Sequence, residues 1–260
     1  MDTWIYISPH LDDAALSCGG LIWEQSHAGN PVEVWTICAG DPPSVDVSEF
    51  ASMLHQRWQT GAQAVSQRRA EDRLSCELLG AAWRHFSIPD CIYRLGPEGQ
   101  PLYASEESLF GCLHPHDEKL VRDLAVKLNS LMINRAESTG GGGRDSRGAS
   151  LHLVCPLTVG NHVDHQMTRR AAEMLGRPLW YYVDYPYAAK ETAESYPLLR
   201  KGLEPVVFPI SENGLEAWGQ AIAAHASQVG GFWPDFQTMQ AEIGAYAESA
   251  GGVRLWRGAE

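Results

Sequence analysis

Near the N-terminus stands Ser8-Pro9-His10-Leu11-Asp12-Asp13, an imidazole followed closely by two adjacent carboxylates. Carboxylates crowded into one cleft raise each other's pKa unless a cation compensates. A divalent metal ion would do so, and would reverse the local pKa logic. His10 and Asp13 are spaced i, i+3, so a single turn can bring both to one point. A metal ion needs at least one more ligand. The chain offers candidates far away, in Gly160-Asn161-His162-Val163-Asp164-His165.

The flanking residues say what must position these groups. Trp4-Ile5-Tyr6-Ile7 is a short apolar run, aromatic and β-branched, and reads as a buried strand. The run after Asp13, from Ala14 to Trp23, reads as a helix. The second group repeats the arrangement, because the strand-like Leu151-His152-Leu153-Val154-Cys155 precedes it and a helical pattern follows. Both groups therefore stand where a strand passes into a helix. In open α/β sheets, ligands bind at that carboxyl edge.

Together the two segments resemble those of the PIG-L/LmbE-like family of zinc-dependent N-deacetylases. The family's first motif, His-Pro-Asp-Asp after a small residue, reads Pro9-His10-Leu11-Asp12-Asp13 here, with Leu11 at the usual proline position. His162-Val163-Asp164-His165 matches its His-x-Asp-His motif. Arg68-Arg69-Ala70-Glu71, running into Leu78-Leu79-Gly80, and the late Ser227-Gln228 are weaker matches. The resemblance spans most of the chain. It implies a zinc ion, or Fe2+ in its place, on His10, Asp13 and His165. It implies Asp12 as general base, His162 as oxyanion stabiliser or proton donor to the leaving amine, and Asp164 as the residue that orients or tunes His162. The implied substrate is an N-acetylglucosamine-type sugar or glycoconjugate, cleaved to an amine and acetate.

Taken alone, the residues leave alternatives open. Asp12 and Asp164 each suit a helix N-cap, and His162 suits a fourth ligand or a structural role. Arg68 and Asp90 are candidate substrate contacts. Arg68 shares its helix with Arg69, Glu71, Asp72 and Arg73, so a solvated charged face is the simple alternative. Asp90 rests on its position after a strand, and Asp41 does so more weakly. His114-Pro115-His116-Asp117-Glu118 looks like another His-Asp motif. It begins a helix, where capping and first-turn acids explain it better.

Length and composition set the frame. The chain has 260 residues, 44% of them apolar, enough for one large α/β domain over 1–260. The expected fold is Rossmann-like, a mostly parallel sheet with helices on both faces and a C-terminal extension over 203–260 packed on the core. Strands are expected at 4–8, 32–38, 82–88, 151–155, 179–183, 206–209 and 253–256. Helices are expected at 13–27, 67–79, 117–133, 212–227 and 235–249. Residues 93–115 read as a long loop over the site, and the glycine-rich 138–150 as a flexible excursion. Gly19-Gly20 inside the first helix costs helix stability, which a close approach to the sheet would explain.

The 20 basic against 32 acidic residues give a net charge of -12. Nucleic acid and anionic membrane surfaces both need a positive footprint, so neither is an expected partner. No apolar run approaches a membrane span. The N-terminus lacks the basic and apolar regions of a signal peptide. The six cysteines form no Cys-x-x-Cys pair. A reducing, cytoplasmic setting is expected, and a homo-oligomer is compatible with the sequence. Three rivals stand beside the deacetylase reading. One is an amidase for longer acyl chains or non-sugar amides. Another, a nucleotide-binding protein, would want Gly-x-Gly-x-x-Gly after the first strand. The third, a non-catalytic sugar- or metal-binding module, would need neither Asp12 nor His162.

Overall fold

The computed structural model describes residues 1–43, 46–138, 150–187 and 199–258. The expected flexible excursion falls largely on 139–149, outside the described residues. Among these residues one seven-stranded sheet is formed by β1 (Thr3–Ser8), β2 (Val32–Thr36), β3 (Ala82–His85), β4 (Leu151–Pro156), β5 (Trp180–Tyr182), β6 (Leu203–Phe208) and β7 (Val253–Gly258). Their order is β3-β2-β1-β4-β5-β7-β6. The first five run parallel, and β7 lies antiparallel between β5 and β6. This is the expected mostly parallel α/β fold.

The apolar run of β1 is continuous because both sheet faces are covered. Trp4 and Tyr6 point to one face, where α1 (Asp13–His27), α7 (Glu212–Ala223) and α9 (Phe236–Ala250) supply Leu21, Ile22, Trp218, Ile222, Met239 and Ile243. Ile5 and Ile7 point to the other. There α5 (Glu118–Ser138) and α6 (Val163–Glu173) supply Val121, Leu124, Leu128 and Met167. Each such side chain contributes about 1.5–3 kcal/mol on burial.

From β1 the chain steps outward through β2 and β3, then returns to lay β4 on the opposite side of β1. The switch point therefore lies between the carboxyl ends of β1 and β4, where Tyr6 pairs with Val154. That is the crevice in which ligands bind in open α/β sheets, and both His/Asp motifs leave from it. Over it lies a smaller apolar cluster, including Phe50, Leu54, Val65, Ile92, Tyr103 and Leu109. This cluster fastens α2 (Glu49–Arg57), α3 (Ala64–Leu78) and the short α4 (Glu106–Leu109) around the crevice. Within the expected long loop, α4 is held by a reciprocal capping box between Ser105 and Ser108.

Several local expectations change. Gly19-Gly20 accommodates a helix, not the sheet. A Cβ at Gly19 would lie 2.5 Å from Cδ1 of Trp218, and one at Gly20 3.0 Å from its Cε3. The same indole donates to the Ala15 carbonyl at 2.8 Å, so α7 lies directly on α1. Strands β2 and β3 end earlier than their apolar runs, at Thr36 and His85, and the chain continues through isolated bridges Cys38–Ser87 and Gly40–Pro89. The expected 212–227 helix breaks at His225 into α7 and a single turn, α8 (Ala226–Val229). Strands β6 and β7 of the C-terminal stretch extend the central sheet itself.

Candidate metal centre and cleft

The first motif folds around Ser8, whose Oγ donates to the His10 carbonyl at 2.7 Å and accepts from the Ala14 amide at 3.1 Å. That satisfies one exposed amide of α1's first turn. Asp12, at the N-cap position, makes no side-chain cap bond. The capping alternative for Asp12 therefore has no support in the geometry, and its carboxyl group turns into the cleft. Asp13 Oδ2 accepts from the His10 amide at 2.8 Å. The same oxygen lies 3.2 Å from His10 Nδ1 and 3.3 Å from His165 Nε2.

The second motif follows a turn in which Thr158, Gly160 and Asn161 all have positive φ, at 68°, 85° and 61°. Glycine and asparagine tolerate this conformation, whereas a β-branched threonine is strained there. His162 then caps α6, its Nδ1 accepting from the Asp164 amide at 3.2 Å. A ring whose Nδ1 accepts carries its proton on Nε2, so His162 offers a donor.

Asp164 is expected either to cap α6 or to orient or tune His162. Its carboxylate makes no hydrogen bond to the His162 ring, although its negative charge acts on that ring and works against the lowering of its pKa. Fully buried, the carboxylate accepts from His10 Nε2 at 3.0 Å, from the Cys91 amide at 3.0 Å and from the Arg94 guanidinium. The helical turn points its side chain across the switch point, toward β1's loop. An equivalent carboxylate, Asp184, stands behind His165. Its Oδ1 takes His165 Nδ1 at 2.6 Å and its Oδ2 accepts from the Val159 amide at 2.8 Å. His10 and His165 thus each have one nitrogen tied to a carboxylate and the other facing Asp13. Metal-ligating histidines are oriented in this manner.

Electrostatics agree. Burial alone would lower the pKa of His10, but Asp13 and Asp164 outweigh it and hold it well above the usual range. Burial is likewise outweighed at His165, which Asp13 and Asp184 push up to about 10. Despite burial, Asp13 is held well below the carboxylate range by His165 and His10. Asp12 moves the other way, raised by burial and by Asp13 against the pull of Arg68. Burial, and then the charge of His10, keeps His162 well below its ordinary value and therefore neutral. Carboxylates surround a point that calls for positive charge, and the available donors are imidazole nitrogens and carboxylate oxygens. Ring nitrogens of His10, His162 and His165 also lie within 4.8 Å of one another. The donor set fits a divalent metal ion.

These groups floor a cavity of about 690 Å³. Arg68 lines it, 8% exposed, with Nη2 3.6 Å from Asp12 Oδ1, Nη1 3.8 Å from Asp90 Oδ2 and its guanidinium over the Trp58 ring. The solvated-face alternative instead describes Arg69, which reaches the exposed Asp41 at 2.7 Å. Asp90 also lies 3.8 Å from His10 Nε2. The structure thus brings His10, Asp12, Asp13, Arg68, Asp90, His162 and His165 to one cavity wall, with Asp164 behind it. In the 114–118 segment His114 acts as a cap, its Nδ1 accepting from the His116 amide at 3.2 Å, while buried Asp117 accepts from the Tyr103 hydroxyl at 2.7 Å and lies 3.5 Å from Arg94. Sequence reasoning missed Asp184 and Arg94. For Asp184 a signal existed, an acid just past a strand at the same sheet edge. Arg94 lay in a stretch without periodicity.

Several known proteins resemble this chain over most of its length. The family model described as PIG-L, GlcNAc-PI de-N-acetylase, matches residues 5–175. The 2'-N-acetylparomamine deacetylase of Niallia circulans is 28% identical over 200 residues, covering 71% of this chain and 67% of that protein. The protein of the same name from Streptomyces fradiae is 28% identical over 194 residues, but only 59% of its length is spanned. Among solved structures, the zinc-inhibited form of teicoplanin deacetylase Orf2 superposes with a TM-score of 0.79 at 26% identity, covering 98% of this chain and 97% of that one. With its two motifs on either side of the switch point and the model match running through both, this chain belongs to the PIG-L family.

Proposed function

We propose that the protein is a metal-dependent N-deacetylase that hydrolyses an N-acetyl group on an amino sugar within a larger glycoconjugate. The observation that carries this reading is the convergence of His10, Asp13 and His165, each imidazole backed by its own carboxylate, beside an uncapped Asp12. His10, Asp13 and His165 would hold the ion, with Zn2+ and Fe2+ the candidates. A divalent ion there supplies Lewis acidity to the amide carbonyl and lowers the pKa of water. Asp12, its pKa raised by burial and by Asp13, accepts the proton of the attacking water. As the new C–O bond forms, neutral His162 donates its Nε2 hydrogen bond to the developing oxyanion. The C–N bond then breaks, the proton held by Asp12 passes to the leaving amine, and acetate departs. Arg68 and Asp90 bind sugar hydroxyls, and Asp164 keeps His10 in its ligand orientation.

The size of the cavity favours a glycoconjugate over a free monosaccharide, since about 690 Å³ lies well inside the range for drug-sized ligands. The rings of Trp58, Phe110, Tyr187 and Phe232 also line it. The curated relatives named for 2'-N-acetylparomamine and the neighbour named for teicoplanin support sugar-linked amides. All six cysteines are free thiols, which supports a cytoplasmic setting, and among the described residues no helix is long and apolar enough to cross a membrane. The test is amine release from N-acetylated aminoglycosides, glycopeptides and simple N-acetylglucosaminides. It compares chelated protein with protein reloaded with Zn2+ or Fe2+. Chelator-sensitive release is expected. No release from any member by the reloaded protein would overturn the reading.

A further inference from the structure

Two stretches singled out in the sequence take no part in the chemistry above: Glu71 of the Arg68-x-x-Glu71 pattern, and Ser227-Gln228. In space they are one unit. Glu71 lies on α3 three residues after Arg68 and is 9% exposed. Its Oε2 accepts from Ser227 Oγ at 2.6 Å, and its Oε1 accepts from the Ser227 amide at 3.1 Å. Gln67 Nε2 steadies the same Oε1 at 3.1 Å, and Gln228 Nε2 donates to Ser227 Oγ at 3.0 Å. A carboxylate gripped by a hydroxyl at this distance is in the charge-assisted class. The grip joins residues 156 positions apart.

What it grips is a short segment with few anchors of its own. The helix α8 is four residues long and none of its side chains is fully buried, with Val229 partly buried against the core and His225 and Trp233 buried on either side of the segment. So short a helix has no stability of its own. Yet Ala226, Ser227, Gln228, Gly230, Gly231 and Phe232 form one wall of the cleft, facing the floor where Arg68 meets Asp12 and Asp90. The residue that tethers this wall thus sits one helical turn from the residue that reaches the floor.

We propose that Glu71 is a positioning residue that fixes the 226–232 wall relative to Arg68 and so shapes the part of the cleft that receives the substrate beyond its reacting amide. Its kinetic consequence rests on the deacetylase reading. The tether itself does not. The test uses the metal-loaded wild type, Glu71→Gln, Ser227→Ala and the double variant. Amide hydrogen exchange over 226–232 is measured together with kcat and KM for a glycoconjugate. Loss of a charge-assisted hydrogen bond should speed exchange of that segment by about tenfold or more. KM should rise about tenfold while kcat stays within about threefold, the pattern of lost uniform binding. Ser227→Ala should show the same pattern more weakly, and the double variant should be no worse than Glu71→Gln alone. Unchanged exchange over 226–232, a kcat loss at unchanged KM, or simple additivity would overturn the proposal. Should Glu71→Gln fail to fold, Ser227→Ala, which removes one hydroxyl, decides by the same criteria. Because exchange needs no substrate, a wild type inactive on every substrate would sink the deacetylase reading and leave the tether to be judged by exchange.

Discussion

Replacing Asp184 with asparagine should weaken metal binding without unfolding the protein. Both Asp184 and His165 are 2% exposed, so no solvent is available to take over a lost partner. The carboxylate accepts twice, from His165 Nδ1 at 2.6 Å and from the Val159 amide at 2.8 Å. Asparagine has nearly the same shape but accepts at one atom only. With its oxygen toward His165, its NH2 meets the Val159 N–H, donor against donor. With the amide flipped, NH2 faces His165 Nδ1 and drives the ring proton to Nε2, the nitrogen that faces Asp13. The first arrangement leaves a buried donor unpaired, at a cost of about 1–3 kcal/mol; the second keeps both hydrogen bonds but places a proton on the nitrogen that would bind the metal. Partners behind a ligating histidine commonly contribute about 10–100-fold in metal affinity, so the dissociation constant should rise by that factor. Competition titration against a chromophoric chelator reads it directly, and the thermal midpoint of the metal-free variant checks folding. A folded Asp184→Asn variant whose affinity stays within about threefold of wild type would refute the assignment of His165 as a ligand oriented from behind.

Asp13→Asn should empty the metal site, whereas Asp12→Asn should keep the metal and lose about 10²–10⁴-fold in turnover; metal analysis and amide hydrolysis on both variants check this, and the opposite pattern would reverse the two roles. Metal affinity should rise with pH up to about 10, because metal-free His165 is raised to about 10 and the ion must displace its proton. By the same shift, the metal-free fold gains from His165 below about 6.5 and loses that gain as pH rises toward about 10; chelator titrations and denaturant midpoints at stepped pH measure the two effects. Gly19→Ala should destabilise the fold by about 1–3 kcal/mol through overpacking against Trp218, visible as a lowered thermal midpoint.

The sequence by itself determined the elements and the chemistry-bearing loops. Continuous apolar runs at Trp4–Ile7 and at 151–155 are what a strand buried on both faces requires, and each is followed by histidine and aspartate at the start of a helix. Two such junctions were enough to bring the two His/Asp groups to one edge, because parallel strands present their carboxyl ends there, while the choice of His10, Asp13 and His165 among them is what the family resemblance implies. Only the tertiary structure decided which carboxylate serves which imidazole. Asp164 is two residues from His162 in sequence, yet the turn of α6 sends its carboxylate across the switch point to His10, while Asp184, from a different strand end, takes His165. The same holds for Gly19-Gly20, whose neighbour Trp218 lies some two hundred residues away, and for Glu71, whose partner is Ser227. Local sequence governs backbone conformation through nearest-neighbour sterics and hydrophobic period. Which buried polar group meets which partner depends on how whole elements pack, and no short-range pattern encodes that.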